Sequence, residues 1–313
     1  MSNQAVSALS PFWAITNFIV RKISSRNAVK FPVPVISVGN IVAGGVGKTE
    51  VATAIAAYLN SKGKKVVVAS RGYGSPWSAR GGVARDIETA RSLKFPDESM
   101  VVLKKAKGVS VSVGADRVQV LQRYWEELQP DVIILDDGFQ HFKIKRDLDI
   151  LVHDFSVRWP LLRDMPIYFN KVGVRIALSP VPEMWKRIDW VSGRYRITSK
   201  LPSEALIFCG IGNPSRFKNA VKSSGMKVIA HKFFKDHHDY TEADIRKIMS
   251  WRESRSPNAP LMTTLKDHVK LMPYLQSQGG IMGFEPQVVD IELDLFENAN
   301  LLWQAVDRLV LPG

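Results

Sequence analysis

The chain has 313 residues, 45% hydrophobic and 23% charged, proportions that exclude wholesale disorder and leave room for two domains. Its 21 glycines and 17 prolines are too few for a collagen-like or low-complexity chain, and the single cysteine, Cys209, excludes a disulfide scaffold or a multi-cysteine zinc module and makes a reducing compartment the expectation. With 43 Lys and Arg against 30 Asp and Glu the formal net charge is +13, which points to an anionic partner: nucleic acid, nucleotide phosphates or an anionic membrane face.

The first element lies between Ala8 and Ile23, where Phe12, Trp13, Ile15, Phe18, Ile19 and Val20 recur at helical spacing. The run is shorter than the roughly 20 residues of a bilayer span, Asn17 interrupts it, and no small-residue cleavage site follows it. Arg21, Lys22, Arg26 and Lys30 come directly after it. Two readings stay open at this point: a helix lying in the interface of an anionic leaflet, or a helix packing its apolar face on the core.

Pro34 to Val38 reads as a buried strand entering a tight turn, Glu50 to Leu59 as a helix, and Lys65 to Ala69 as the next strand. That βαβ succession predicts a parallel sheet with right-handed crossovers. Met100 to Leu103 reads as another strand, Asp116 to Leu128 as an amphipathic helix stopped by Pro130, and Asp131 to Leu135 and Asp149 to Val152 as buried strands. Arg194 to Ser203 is short, polar and alternating, as in a linker. Beyond it come a strand (Leu206 to Cys209), a Gly-Ile-Gly-Asn-Pro turn, a helix (Phe217 to Ser223) and a strand (Lys227 to Ala230). A helix (Asp244 to Arg252), a strand (Leu261 to Thr264) and a helix (Asp267 to Tyr274) follow. The expected organisation is the N-terminal helix within 1–25, an α/β domain with a P-loop NTPase-like, mostly parallel sheet over 26–195, and a smaller α/β domain over 203–313.

Gly44-Gly45-Val46-Gly47-Lys48-Thr49 lies between a predicted strand and a predicted helix, the context of a phosphate-binding loop. Glycines let backbone N–H groups turn in around phosphate oxygens, and the helix N-terminus adds partial positive charge. Lys48 is placed to reach the β- and γ-phosphates of ATP, and Thr49 to offer its hydroxyl to Mg²⁺. The strict pattern wants glycine at position 42, where this chain has Val42. Asp136 and Asp137 end a hydrophobic strand, where such folds hold the Mg²⁺. His141, four residues beyond Asp137, has three open roles: metal, phosphate or structural hydrogen bonding.

These residues resemble those of the tetraacyldisaccharide 4′-kinase family, the lipid A 4′-kinases. The resemblance is carried by Val38-Gly39-Asn40 before the glycine-rich loop, Ser70-Arg71-Gly72-Tyr73-Gly74, Asp136-Asp137-Gly138-Phe139-Gln140-His141, Asp236-His237-His238 and Thr264-Leu265-Lys266-Asp267. It implies phosphorylation of the 4′-hydroxyl of a tetraacyl glucosamine disaccharide-1-phosphate by Mg²⁺-ATP, at the cytoplasmic face of the inner membrane. The N-terminal helix would tether the chain there, peripherally or monotopically. The family's Gly-Asp-Glu-Pro motif falls on Phe95-Pro96-Asp97-Glu98-Ser99, with altered flanks. The resemblance makes Asp97 the catalytic base, Glu98 an aid to the metal, His237 the partner that orients and tunes the base, and Gln140 a nucleotide contact. It further places Asn40, Arg71, Tyr73 and His141 on the substrate side. The family's acceptor-side Leu-Pro-Ala-Gly-Pro-Leu-Arg-Glu stretch has no clear counterpart in Trp159 to Pro166, and the acidic residue that precedes Lys266 in the family is Leu265 here.

The partners expected are therefore a lipid A disaccharide precursor and an anionic membrane surface. No nucleic acid is expected, since neither an arginine-rich recognition helix nor an aromatic RNA platform is visible. The drift of the acceptor-side motif keeps two alternatives in play, a kinase for a modified lipid A acceptor and a non-catalytic paralogue that binds nucleotide and lipid. Retention of Lys48, Thr49, Asp97, Asp137 and His237 argues against the second.

Overall fold

The computed structural model describes Thr16 and residues 25–42, 46–156, 172–275 and 283–311. The expectations for the N-terminal helix over 1–25, for Gly44 and Gly45, and for Trp159 to Pro166 lie outside these residues, apart from a helical Thr16. Among the described residues no helix is long and apolar enough to cross a membrane.

Apolar, β-branched runs without a polar register are what a sheet covered on both faces requires, and such runs supply its central strands. The strands are β1 (Val35–Gly39), β2 (Val66–Ser70), β3 (Gly82–Ala84), β4 (Ser110–Val113), β5 (Val132–Asp136), β6 (Leu148–His153), β7 (Val174–Ala177) and β8 (Val191–Ile197). They continue with β9 (Glu204–Cys209), β10 (Lys227–Phe233), β11 (Leu261–Thr264), β12 (Gln287–Val289) and β13 (Ile291–Glu297). The larger sheet runs β13-β8-β7-β6-β1-β5-β2-β4-β3 and the smaller β10-β9-β11-β12. Every residue of β1 and β5 is buried. β1 pairs in parallel with β5 and β6, so the loop that leaves Gly39 emerges between the ends of these two strands. In such sheets ligands gather outside the carboxyl ends of the strands.

The chain divides into two units, Met1–Arg194 with Leu293–Gly313, and Tyr195–Glu292. This corrects the expected 203–313 domain, whose last residues return to the first unit. The helix Ala299–Val310 is held there by the Tyr58 hydroxyl, which donates to Asp307 at 2.9 and 3.0 Å, and by contact of Tyr58 with Trp303, ring centroids 4.6 Å apart. Of the expected linker, Arg194 to Ile197 are instead the end of β8, whose alternating burial is that of a strand with one covered face, and residues 198–203 connect it to β9.

Two further expectations change. Met100 to Leu103 is not a strand but part of the helix Asp97–Lys105. Pro96 precedes its first turn, Asp97 and Glu98 sit at its positive end and Lys104 and Lys105 at its negative end, a charge order that favours helix over the local β-branched preference. The strand of this region is β4, a few residues later. The helix expected over Asp116 to Leu128 is two, Arg117–Arg123 and Trp125–Leu128, broken at Tyr124.

Candidate active site

Gly47 precedes the helix Lys48–Ser61 with φ 86°, a left-handed conformation that glycine adopts without penalty. The next two residues meet the end of β5. Thr49 Oγ1 donates to Asp136 Oδ2 at 2.8 Å, and Lys48 Nζ lies 3.5 Å from Asp137 Oδ1. Asp136 is 6% exposed, and its second oxygen has no hydrogen-bond partner among the described residues. Burial, the largest influence, together with the charge of Asp137, pushes its carboxyl up to about 6 against the pull of Thr49 and Lys48. A threonine hydroxyl and two carboxylates offer hard oxygens suited to Mg²⁺, and the lysine beside them at the helix N-terminus offers a cation suited to triphosphate.

The loop after β5 is packed against β1. A Cβ on Gly39 would collide with Phe139, and one on Gly138 would lie 2.6 Å from Leu135 Cβ and 2.7 Å from Ser37 Oγ. Phe139 is fully buried as its anchor. Two arginines hold the carbonyls of this loop: Arg117 donates to Asp136 at 3.1 Å and Asp137 at 3.4 Å, and Arg146 to Gly138 at 3.2 Å and Phe139 at 3.0 Å. Sequence reasoning missed Arg117, which looks like a solvent-facing helix residue yet is 4% exposed; nothing in its local pattern distinguishes it.

Gln140 Nε2 donates to the backbone oxygen of Asn40 at 2.9 Å, and Asn40 is wholly buried. His141 is lowered to about 3 by burial first, then by Arg117, Lys143 and Arg146. It is therefore neutral at physiological pH, and its ring is available for hydrogen bonding or coordination but carries no charge.

Asp97 and Glu98 lie on the first turn of Asp97–Lys105. Asp97 is 6% exposed and accepts the Glu98 N–H at 3.0 Å. The Arg71-Gly72-Tyr73-Gly74 loop packs on this helix start: Gly72, with φ 68°, has no room for a Cβ against Val113, and its Cβ position is 3.5 Å from Pro96. Arg71 and Tyr73 are exposed, Tyr73 by 81%.

His237 belongs to the second unit, on the loop after β10. Its φ is 55°, its N–H donates to Asp236 Oδ1 at 3.0 Å, and its Nε2 lies 3.9 Å from Asp236 Oδ2. The neighbouring His238 has its Nε2 3.1 Å from Asp244 Oδ2 and is stacked on Phe234.

The chain matches the family described as Tetraacyldisaccharide-1-P 4′-kinase over residues 5–166 and 176–310. It is 31% identical to the tetraacyldisaccharide 4′-kinase of Geobacter metallireducens over 79% of this chain and 81% of that one. With the enzyme of that name from Haemophilus influenzae it shares 26% identity over 99% and 96%. Among solved structures, LpxK from Aquifex aeolicus in complex with ATP is similar with a TM-score of 0.71 and 25% identity, over 96% of this chain and 99% of that one.

Proposed function

The chain belongs to the tetraacyldisaccharide-1-phosphate 4′-kinase family, and from that premise we propose how its residues divide the reaction. The protein is a lipid kinase that transfers the γ-phosphoryl group of ATP to the 4′-hydroxyl of a tetraacyl disaccharide-1-phosphate in lipid A synthesis. The convergence of Lys48 and Thr49 on Asp137 and Asp136 carries the assignment of the phosphate end.

In this reading Lys48 moves from its ion pair with Asp137 onto the β- and γ-phosphates and balances the charge that spreads over the transferring group. Gly44, Gly45 and Gly47 supply backbone N–H groups to the phosphates, and Gln140 braces the nucleotide side through Asn40. Thr49, Asp136 and Asp137, with Glu98, are the residues to hold Mg²⁺; the unpartnered oxygen of Asp136 fits that task. When bound, Mg²⁺ supplies charge neutralisation and orientation of the phosphates.

Asp97 takes the proton of the 4′-hydroxyl as its oxygen attacks the γ-phosphorus; the bond to the β–γ bridging oxygen breaks and ADP leaves. His237 orients and tunes that base. Arg71 and Tyr73, exposed beside the Asp97 turn, face the acceptor, with Asn40 and the neutral His141 as polar positioning groups. Residues 1–25 tether the chain to the cytoplasmic face of the inner membrane, whose anionic leaflet complements the net charge of +13. A kinase for a modified acceptor remains compatible with the altered 159–166 stretch; comparing acceptors in one assay separates the two.

The test is transfer of labelled γ-phosphate from ATP to purified lipid A disaccharide precursor. The expected result is a 4′-labelled product. Asp97→Ala loses about 10²–10⁴-fold in kcat while ATP binding stays near normal. The Asp97→Ala, His237→Ala double variant is scarcely slower than Asp97→Ala, because groups that act as a unit are non-additive. Multiplicative losses would assign His237 an independent role.

A further inference from the structure

The phosphoryl chemistry uses nothing from the Thr264-Leu265-Lys266-Asp267 segment, yet Asp267 is completely buried. A carboxylate without water is retained only where donors replace the solvent it has lost. Here the donors come from three separate segments. Oδ1 accepts the Gly210 N–H at 2.9 Å and the Tyr240 hydroxyl at 2.9 Å, while Oδ2 accepts the Thr264 hydroxyl at 2.6 Å. Lys270 Nζ lies 3.7 Å from Oδ1. The carboxylate thus joins the turn after β9, the end of β11 and the residue that closes the loop after β10.

We infer that Asp267 is a positioning residue for the transfer reaction, whose buried carboxylate sets the conformation of the loop that presents His237. The inference rests on the reading of His237 as the partner of the base. The turn anchored at Gly210 is seated against that loop: a Cβ on Gly210 would lie 3.0 Å from both the Lys235 oxygen and His238 Cβ, and one on Gly212 would lie 2.9 Å from Asp236 Oδ2. At the loop's far end Tyr240 forms edge contacts with Phe234 and with His238, ring centroids 5.2 and 5.0 Å away, and its backbone carbonyl accepts the Tyr274 hydroxyl. His237 sits between these two tethers in a left-handed conformation, with φ 55°, that is uncommon for a residue other than glycine. Asp267 holds both tethers through one oxygen. Its removal frees the loop without touching the phosphate cradle, which lies in the other unit.

Asp267→Asn keeps the shape and withdraws the charge. In purified full-length protein, kcat for transfer falls about 10- to 100-fold, the cost of small misplacements of a reacting group. The KM for ATP is unchanged, and the thermal midpoint falls. In the His237→Ala background the same substitution lowers the thermal midpoint again but takes nothing further from kcat. A residue that only stabilised the fold would cost the same factor in both backgrounds, and that result overturns the inference, as does a folded Asp267→Asn protein with full kcat. A His237→Ala protein at the wild-type rate would overturn the reading of His237 and this inference with it. Should Asp267→Asn fail to fold, Tyr240→Phe, which deletes one donor and leaves the Gly210 bond, is expected to lower kcat two- to tenfold with the same disappearance in the His237→Ala background.

Discussion

Each unit buries an aspartate at the carboxyl ends of its parallel strands, and the two are treated in opposite ways. Asp267 is saturated: a backbone N–H, two hydroxyls and a nearby ammonium face its oxygens. Asp136 has one hydroxyl donor, from Thr49, and a second oxygen with no partner among the described residues. A carboxylate that the fold satisfies holds segments together; one left short of partners has room for a ligand that brings positive charge, the role proposed above for Asp136. Burial first, and then the charge of Asp137, outweigh the single Thr49 hydroxyl and Lys48 and raise the Asp136 carboxyl to about 6.

The largest effect belongs to the cation that completes the phosphate end. Lys48→Ala is expected to lower kcat by about 10²–10³-fold. Thermal stability should change little, because the pair with Asp137 is part-exposed at 3.5 Å. A variant with more than about a tenth of wild-type kcat would remove Lys48 from the phosphate site.

Next comes the buried charge itself. Since the Asp136 carboxyl titrates near 6 in the folded chain and 3.8 is its ordinary value, the folded state holds its proton more tightly than the unfolded state between these pH values. Ionisation therefore costs stability, which declines as pH rises from about 4 to about 6 and stays lowered above that. Asp136→Asn should make the nucleotide-free protein more stable than wild type by about 3 kcal/mol at pH 7.5. The advantage should vanish near pH 4, while transfer activity is lost. Urea unfolding at several pH values reads this directly, and equal stability of the two proteins across the range would refute the incompleteness of the site.

The smallest effect has the opposite sign. Asp267→Asn should destabilise by about 1–3 kcal/mol in the same urea experiment, the cost of leaving a buried donor unanswered. If both substitutions shifted stability in the same direction, the contrast between the two aspartates would not hold.

Much of the phosphate end was legible in the sequence. β1, the helix Lys48–Ser61 and β5 announce themselves through uninterrupted apolar runs and helical spacing, and the Gly-Lys-Thr and Asp-Asp pairs fall at their ends. Less legible was the helix Asp97–Lys105, because Met100-Val-Val-Leu103 favours a strand locally while the terminal charges and Pro96 favour a helix. The Asp97–Glu98 pair occupies the first turn of that helix, with Asp97 buried and Glu98 half-buried. The return of Leu293–Gly313 to the first unit was also hidden, since the Tyr58–Asp307 hydrogen bond joins residues 249 positions apart.

The sequence by itself determined which segments become strands and helices around the phosphate loop, and which family the chain resembles, because hydrophobic period and motif spacing are local properties. Tertiary structure alone decided which polar groups are satisfied. Thr49 and Asp136 meet across 87 positions, Gly210 and Asp267 across 57, and Arg117 reaches the carbonyls of Asp136 and Asp137 from a neighbouring helix. Whether a buried carboxylate becomes a tether or a ligand depends on how many donors arrive around it. Donors that arrive from distant segments are placed by the packing of sheets and helices, which no local pattern encodes.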